Sequence, residues 1–129
     1  NQMEWGFQRT LAKVNYHIHT DAIKENLIPE KLSKQQIFFI YANEADVLNV
    51  ALFGKNAKEW RDHKVEKKGN IRDYASLEQL VVLSNMESVN AMLIHQEMEQ
   101  AERIKRLNQM AITQMTSLLK HKKQTKKLK

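Results

Sequence analysis

Hydrophobic residues recur at helical spacing most persistently in the last third of the chain, from residue 76 to residue 119. Ser76 and Gln79 stand three positions apart, which is the spacing of a capping box at a helix start. Neither proline nor glycine follows in the rest of the chain. One unbroken helix of this length would be about 66 Å long, whereas a domain of this size is about 30–35 Å across. The pattern therefore predicts either a break near residues 96–100 or a rod that projects and meets a partner.

The two halves of this stretch differ in their pattern. Residues 80–83 are apolar on every side, which predicts a buried helix segment. In the second half, key residues alternate three and four positions apart, as in a coiled-coil seam, and Asn108 occupies a position where a polar residue can fix register. One hypothesis is self-association through this seam, and the other is an ordinary globular helix. The seam consists of Ala101, Ile104, Asn108, Ala111, Met115 and Leu118.

Shorter helical patterns come before this stretch. The first predicted helix ends before Pro29, because proline disfavours helical geometry in the residue that precedes it. Ser33 with Gln36 predicts a second capped helix start, and Gly54 is suited to the left-handed residue that ends a helix. The apolar face of the first helix carries Phe7, Leu11, Val14, Ile18 and Ala22.

The composition agrees with a helical chain. Three glycines and one proline in 129 residues are too few for the many tight turns of an all-β fold. We therefore predict an all-α fold: a single helical domain of about five to seven helices over residues 1–119, with a long C-terminal helix, followed by a lysine-rich tail at 120–129. The chain has no cysteine, and no apolar run approaches the about 18 residues of a membrane span. A cytoplasmic protein is expected. Because the chain begins at Asn1 without a methionine, we expect it to be a fragment or a processed product.

The net charge of +6 is concentrated at the end of the chain. Residues 120–129 hold six lysines and no acid, and a milder basic bias covers residues 55–74, with seven basic residues against four acidic. Lysines release counterions from phosphates and favour non-specific, salt-sensitive binding to nucleic acid. The tail has neither aromatic residues for stacking nor arginine for reading guanine, so it is not expected to read sequence. The candidate nucleic-acid contacts are Lys55, Lys58, Arg61, Arg72, Lys120, Lys122, Lys123, Lys126 and Lys127.

Three stretches resemble a known family. They read LAKVNYHIHTDAIKENLIP at 11–29, ANEADVLNVALFGKNAKEWRD at 42–62 and GNIRDYASLEQLVVLSNMESVNAMLI at 69–94. Together they are similar to the region that follows the DNA-binding module in KilA-N-domain proteins of phages and prophages, over roughly residues 5–119. The KilA-N module itself is not in this sequence. The loop after Asp62 also departs from the more proline-bearing sequence expected in that family.

The resemblance implies the C-terminal part of a phage-related, regulatory DNA-binding protein. The expected role is an assembly or partner-binding domain that brings DNA-binding modules together in pairs, with a homodimer as the expected state. The alternative is that this domain itself contacts DNA through residues 55–72 and the tail.

Candidate catalytic chemistry is sparse. His17 and His19 superficially resemble the HxH motif of metal-dependent phosphoesterases of the PHP type. On a helix, however, residues two apart point about 200° from each other and cannot share a metal. The pairs Glu44/Asp46 and Glu97/Glu99 also fall on different helix faces, which predicts solvated carboxylates. No catalytic or metal site, no cofactor and no enzymatic activity are expected, and a phosphoesterase remains only a remote alternative.

Residues 69–74 form the most distinctive loop of the sequence. Asn70 and Asp73 are residue types that bond to the nearby backbone and can position the start of the long helix. The alternative is that Arg72 and Tyr74 present a binding surface.

Overall fold

Five α-helices and one short 3₁₀ helix make up the part of the chain that the computed structural model describes, residues 2–63 and 69–127, with side chains described for 6–63 and 69–122. No strand occurs in these residues. The predicted all-α single domain with a long last helix is therefore confirmed. The helices are α1 (Gln2–Leu27), α2 (Lys34–Phe53), α3 (Ala57–His63), the 3₁₀ helix η1 (Ile71–Tyr74), α4 (Leu77–His95) and α5 (Gln100–Lys127).

Local hydrogen bonds set the starts and ends of these helices, as the sequence predicts. Ser33 and Gln36 form a capping box at the start of α2, and Ser76 and Gln79 form one at the start of α4. Each such cap stabilises its helix by about 1 kcal/mol. Gly54 ends α2 with φ 79°, a left-handed conformation that glycine adopts without steric cost.

The long C-terminal stretch breaks between α4 and α5. Glu97 lies in the left-handed region with φ 60°, and the Met98 amide donates to the carbonyl of Leu93. These features turn the chain back, so α5 runs antiparallel to α4: Asn90 bonds to Arg103, and Asn85 bonds to Gln114. Of the two alternatives that the sequence left open, the break is the one found, and α4 and α5 do not form one continuous rod.

The main helices form a bundle centred on α4. α1 packs along α4 in the same direction, as the pairs Asn15–Ser84 and Asn26–His95 show. On the other side α4 packs against α5, and α2 lies along α5.

Two hydrophobic clusters hold the bundle together. The larger lies between α2, α4 and α5, with Leu48, Met86 and Leu107 fully buried. The smaller joins the second half of α1 to α2 and α4 around Ile23 and Ile94. Among the described side chains, residues 6–14 of α1 contribute to neither cluster, so this part of α1 is attached to the bundle mainly through α4.

No single helix among the described residues has the combined length and apolar character of a membrane span. Only α2 and α3 together meet that test, as a pair bent by 62°.

Candidate functional site

A buried ion pair lies at the centre of the bundle. Glu44 of α2 is 3% exposed and Arg103 of α5 is 3% exposed. The ion pair is bidentate: Arg103 Nη1 donates to Glu44 Oε1, and Nη2 donates to Glu44 Oε2. Arg103 Nε donates to the carbonyl of Met98. Gln100 adds a hydrogen bond to Glu44 Oε2 at 2.9 Å. The prediction that Glu44 is a solvated carboxylate is therefore wrong, because its helix face points at α5.

Asn90 extends this network to His19. Its Oδ1 accepts from Arg103 Nη1 at 3.0 Å, so its Nδ2 is the atom that faces His19 Nε2 at 2.9 Å. An amide Nδ2 can only donate, so Nε2 must accept and the neutral ring carries its proton on Nδ1. Burial lowers the pKa of His19 to about 4, with Arg72 and Arg103 acting in the same direction and Glu44 opposing. His19 is therefore neutral at physiological pH, with Nε2 as the acceptor from Asn90 and Nδ1 as the protonated nitrogen.

The pKa of Glu44 reflects two opposing influences. Burial alone would raise it, because a carboxylate loses hydration. The hydrogen bonds from Arg103 and Gln100 more than offset that effect and hold the pKa below its ordinary value. Glu44 thus remains charged and paired with Arg103.

Arg72 is positioned by the turn that precedes α4. Asn70 caps η1 by accepting from the amides of Arg72 and Asp73, and Asp73 accepts in return from the Asn70 amide. Gly69 precedes this box with φ 93°, and a Cβ there would lie 2.4 Å from Asp73 Oδ2, so a side chain would disrupt it. The predicted structural role of Asn70 and Asp73 is confirmed.

The same turn directs the Arg72 side chain into the bundle. Nε donates to Asn49 Oδ1 at 3.2 Å, and Nη2 donates to the carbonyl of Ala45 at 3.3 Å. Burial lowers the pKa of Arg72, while Glu87 and Asp46 oppose the shift. No acceptor within the described residues contacts Nη1.

A cavity of about 380 Å³ lies between α1, α2, η1 and α4. We call it the polar cavity; its lining includes Tyr16, His19, Ile23, Tyr41, Arg72 and Glu87.

Glu87 is the unusual group in the polar cavity. The residue is only 6% exposed and its carboxylate oxygens reach the cavity, yet it has neither a hydrogen bond nor an ion pair within the described part of the chain. Burial raises the pKa of Glu87 to about 7, although Arg72 acts against this shift. A buried carboxylate without a donor is costly in its charged form, so the geometry leaves an acceptor available to a ligand.

The outer face of α1 carries a second distinct surface, the α1 stripe, made of Phe7, Leu11, Val14 and Ile18. These side chains are 66%, 47%, 46% and 42% exposed. At 100° per residue the stripe is turned roughly a quarter of a turn from the buried side of α1. Of the apolar face predicted from the sequence, only Ala22 is buried.

A shallow groove of about 340 Å³ adjoins the stripe. Leu11 and Ala12 of α1 form one wall, and Leu77, Leu80 and Val81 of α4 form the other. Leu80 and Val81 are 42% and 36% exposed, so the prediction that residues 80–83 are buried on every side is wrong. Because Leu11 belongs to both features, the stripe and the groove are one continuous apolar surface.

The seam predicted on α5 is used within the chain. Ala111 is part of the larger cluster, and Ile104, Met115 and Leu118 pack against it. Asn108 donates to the carbonyl of Ala51 at 2.9 Å, and Ala101 is exposed. The spacing that suggested self-association is therefore accounted for by packing against α2 and α4 of the same chain.

The candidate nucleic-acid contacts do not form one surface. Arg72 is turned inward, and Lys122 pairs with Glu78 at 3.3 Å. Lys58 and Arg61 are exposed on α3, Lys55 is half-buried, and Lys120 is exposed on α5. The side chains of Lys123, Lys126 and Lys127 lie outside the described residues.

The histidine motif is helical, as expected. His17 is exposed and His19 is buried, both within α1. Within the described ranges, no group of three or more His, Asp or Glu side chains is placed to hold a metal ion.

Sequence reasoning missed the residues that matter most in the bundle. Glu44, Asn90 and Arg103 come from three helices, and Glu87 lies one turn before Asn90 on α4. The one available signal was charge at core-facing positions: Glu87 is one residue from the buried Met86, and Arg103 is four residues from Leu107.

Comparison of the chain with protein-family models, curated proteins and solved structures gives no match.

Proposed function

We propose that this chain is the C-terminal assembly domain of a phage-related DNA-binding protein of the KilA-N type, and that its partner is a second copy of itself. The α1 stripe is the observation that supports the proposal. Its four apolar side chains are exposed at heptad-like spacing, on a helix that packs mainly against α4 and only slightly against α2. The resemblance of residues 5–119 to the region after the KilA-N module supplies the biological setting.

The charge pattern beside the stripe favours a second copy as the occupant. A two-fold axis brings the same patch of both copies together, so a patch with charges of one sign would repel itself. The positions that flank the stripe in heptad register are Gln8 and Asn15 on one side and Thr10 and His17 on the other. None of them is an acid, a lysine or an arginine. The centres of two stripes can therefore approach without repulsion between fixed charges, while Arg9 lines the adjoining groove and Asp21 follows the stripe in the same register.

A lysine on the stripe should separate the two copies. Wild-type protein should have a mass near twice 15.2 kDa by light scattering coupled to gel filtration. Leu11→Lys should weaken pairing at least about 100-fold, because a charge cannot be buried in an apolar interface without large cost.

Ile112→Lys is the matched control for this test. Ile112 is 53% exposed on α5, away from the stripe, so its variant should remain dimeric. Circular dichroism should show that both variants stay helical. A wild-type monomer at high micromolar concentration, or a folded Leu11→Lys variant that still pairs, would overturn the proposed assembly.

DNA binding by the isolated chain should depend on the tail. The excess charge lies in residues 120–129 and the remaining residues are balanced, so a chain ending at residue 119 should lose measurable DNA binding at physiological salt. Fluorescence anisotropy with labelled duplexes of unrelated sequence measures this. Sequence-selective binding by residues 1–119 would instead favour the alternative, in which the domain reads DNA itself.

A further inference from the structure

Two opposite charges line the polar cavity without pairing with each other. Glu87 on α4 and Arg72 on η1 interact electrostatically, but they form no ion pair. Arg72 is held in place by Asn49 and by the carbonyl of Ala45, which fixes its guanidinium and leaves Nη1 without an acceptor in the described structure. The cavity thus presents an acceptor and a donor of opposite charge.

His19 adds a second donor to this arrangement. Its Nε2 accepts from Asn90, so the proton is on Nδ1, and Nδ1 has no acceptor within the described residues. The remaining wall includes the apolar or aromatic side chains of Ile23, Ala45 and Tyr41. A volume of about 380 Å³ is at the lower end of the roughly 300–1,000 Å³ range of small-molecule sites.

A ligand that complements this cavity has a cationic donor, an anionic acceptor and a small apolar part. We propose that the polar cavity binds a free α-amino acid, with its ammonium group at Glu87 and its carboxylate at Arg72 and His19. The apolar part of the ligand lies against Ile23 and Tyr41. A charged donor and a charged acceptor are each worth more than neutral hydrogen bonds when solvent is excluded. This site does not depend on the pairing of two copies, because the α1 stripe is on a different face of α1.

The probes for this site are the standard amino acids, tested one at a time at millimolar concentration against the full chain. Binding is followed by changes in the backbone amide signals in two-dimensional NMR. We expect saturable shifts, for at least one amino acid, at residues around Glu87, Arg72 and His19. Two compounds that each lack one charge, butylamine and butyrate, should bind at least about 10-fold more weakly than the amino acid that binds.

Glu87→Gln is the variant that tests the ammonium contact. It keeps the shape of the side chain and removes its charge, so it should weaken binding about 10- to 100-fold. Glu25→Gln is the matched control, since Glu25 is an exposed carboxylate on α1 outside the cavity. This variant should bind the amino acid with the affinity of the wild type.

Three results would overturn the proposal. They are no saturable shift with any standard amino acid, equal affinity in the Glu87→Gln variant, or butylamine or butyrate binding as tightly as the amino acid. The last of these would indicate a site for a simple amine or a simple carboxylate. None of these results affects the light-scattering test of the α1 stripe, so the two proposals fail separately.

Discussion

Arg103→Met should destabilise the fold by about 3–5 kcal/mol, a large share of the about 5–15 kcal/mol of a typical domain. Glu44 would lose both guanidinium contacts and remain buried as a charge, held only by Gln100 and Asn90. Asn90 Oδ1 would lose its donor as well. Methionine replaces the aliphatic stem of arginine, so the loss reflects mainly the missing guanidinium. Urea unfolding at neutral pH, followed by circular dichroism, measures the change.

Arg106→Met is the control for this experiment. Arg106 pairs with Glu102 on the surface of α5 at 3.6 Å, and both side chains are about half exposed. Its loss should cost less than about 0.5 kcal/mol. Adding Glu44→Gln to Arg103→Met should recover part of the loss, because a neutral amide is cheaper to bury than a charge. Equal stabilities for the Arg103 and Arg106 variants would show that the buried pair has no special role.

Glu87→Gln should raise stability above about pH 7 by about 2 kcal/mol, after allowance for screening by solvent that reaches the cavity. The Glu87 carboxyl has a pKa of about 7 in the folded chain against an ordinary value of 4.5. Between these values the folded state binds more protons than the unfolded state, so the contribution of Glu87 to stability falls as pH rises. Glutamine keeps the shape and has no proton to lose.

The contribution of His19 to stability changes with pH in the opposite direction. Its pKa is about 4 in the folded chain against 6.5 ordinarily, so the unfolded state binds more protons and stability rises with pH across that interval. In the overlap of the two intervals the slopes from Glu87 and His19 oppose each other. Glu87→Gln should therefore steepen the rise of stability with pH, and His19→Gln should turn it towards a fall.

Chemical denaturation at a series of pH values measures both slopes. Glutamine at position 19 still offers an oxygen that can accept from Asn90 Nδ2, so His19→Gln removes the titrating group and keeps an acceptor for this hydrogen bond. A Glu87→Gln profile parallel to that of the wild type would mean that the Glu87 carboxyl ionises in the folded chain as it does in the unfolded one.

Local signals in the sequence predicted the helices well. The capping pairs at Ser33 and Ser76, the left-handed Gly54 and the turn at Asn70 each act over a few residues, so their effect can be inferred without knowledge of the fold. The predicted helix that starts at Ser33 and the helical geometry of the histidine motif are confirmed for the same reason.

Such local signals do not predict which helix faces pack against each other. Glu44 and Arg103 are 59 positions apart, and no periodicity shows that their helix faces meet. The spacing of the α5 seam was read correctly as one apolar face, but spacing does not tell a face packed within the chain from a face that binds a second chain. Leu80 and Val81 show the converse error. They were predicted to be buried because they are apolar, but both are exposed.

The parallel packing of α1 on α4 affects the order in which contacts form during folding. The bonds Asn15–Ser84 and His19–Asn90 close loops of 69 and 71 residues, whereas Asn90–Arg103 closes one of 13. Shorter loops cost less chain entropy. We therefore expect the α4–α5 hairpin to form first and α1 to dock late. Pulse-labelling hydrogen exchange would show late protection of α1 amides, and early protection would contradict this order. Until α1 docks, one wall of the polar cavity is missing, so a ligand held there would stabilise the last step of folding.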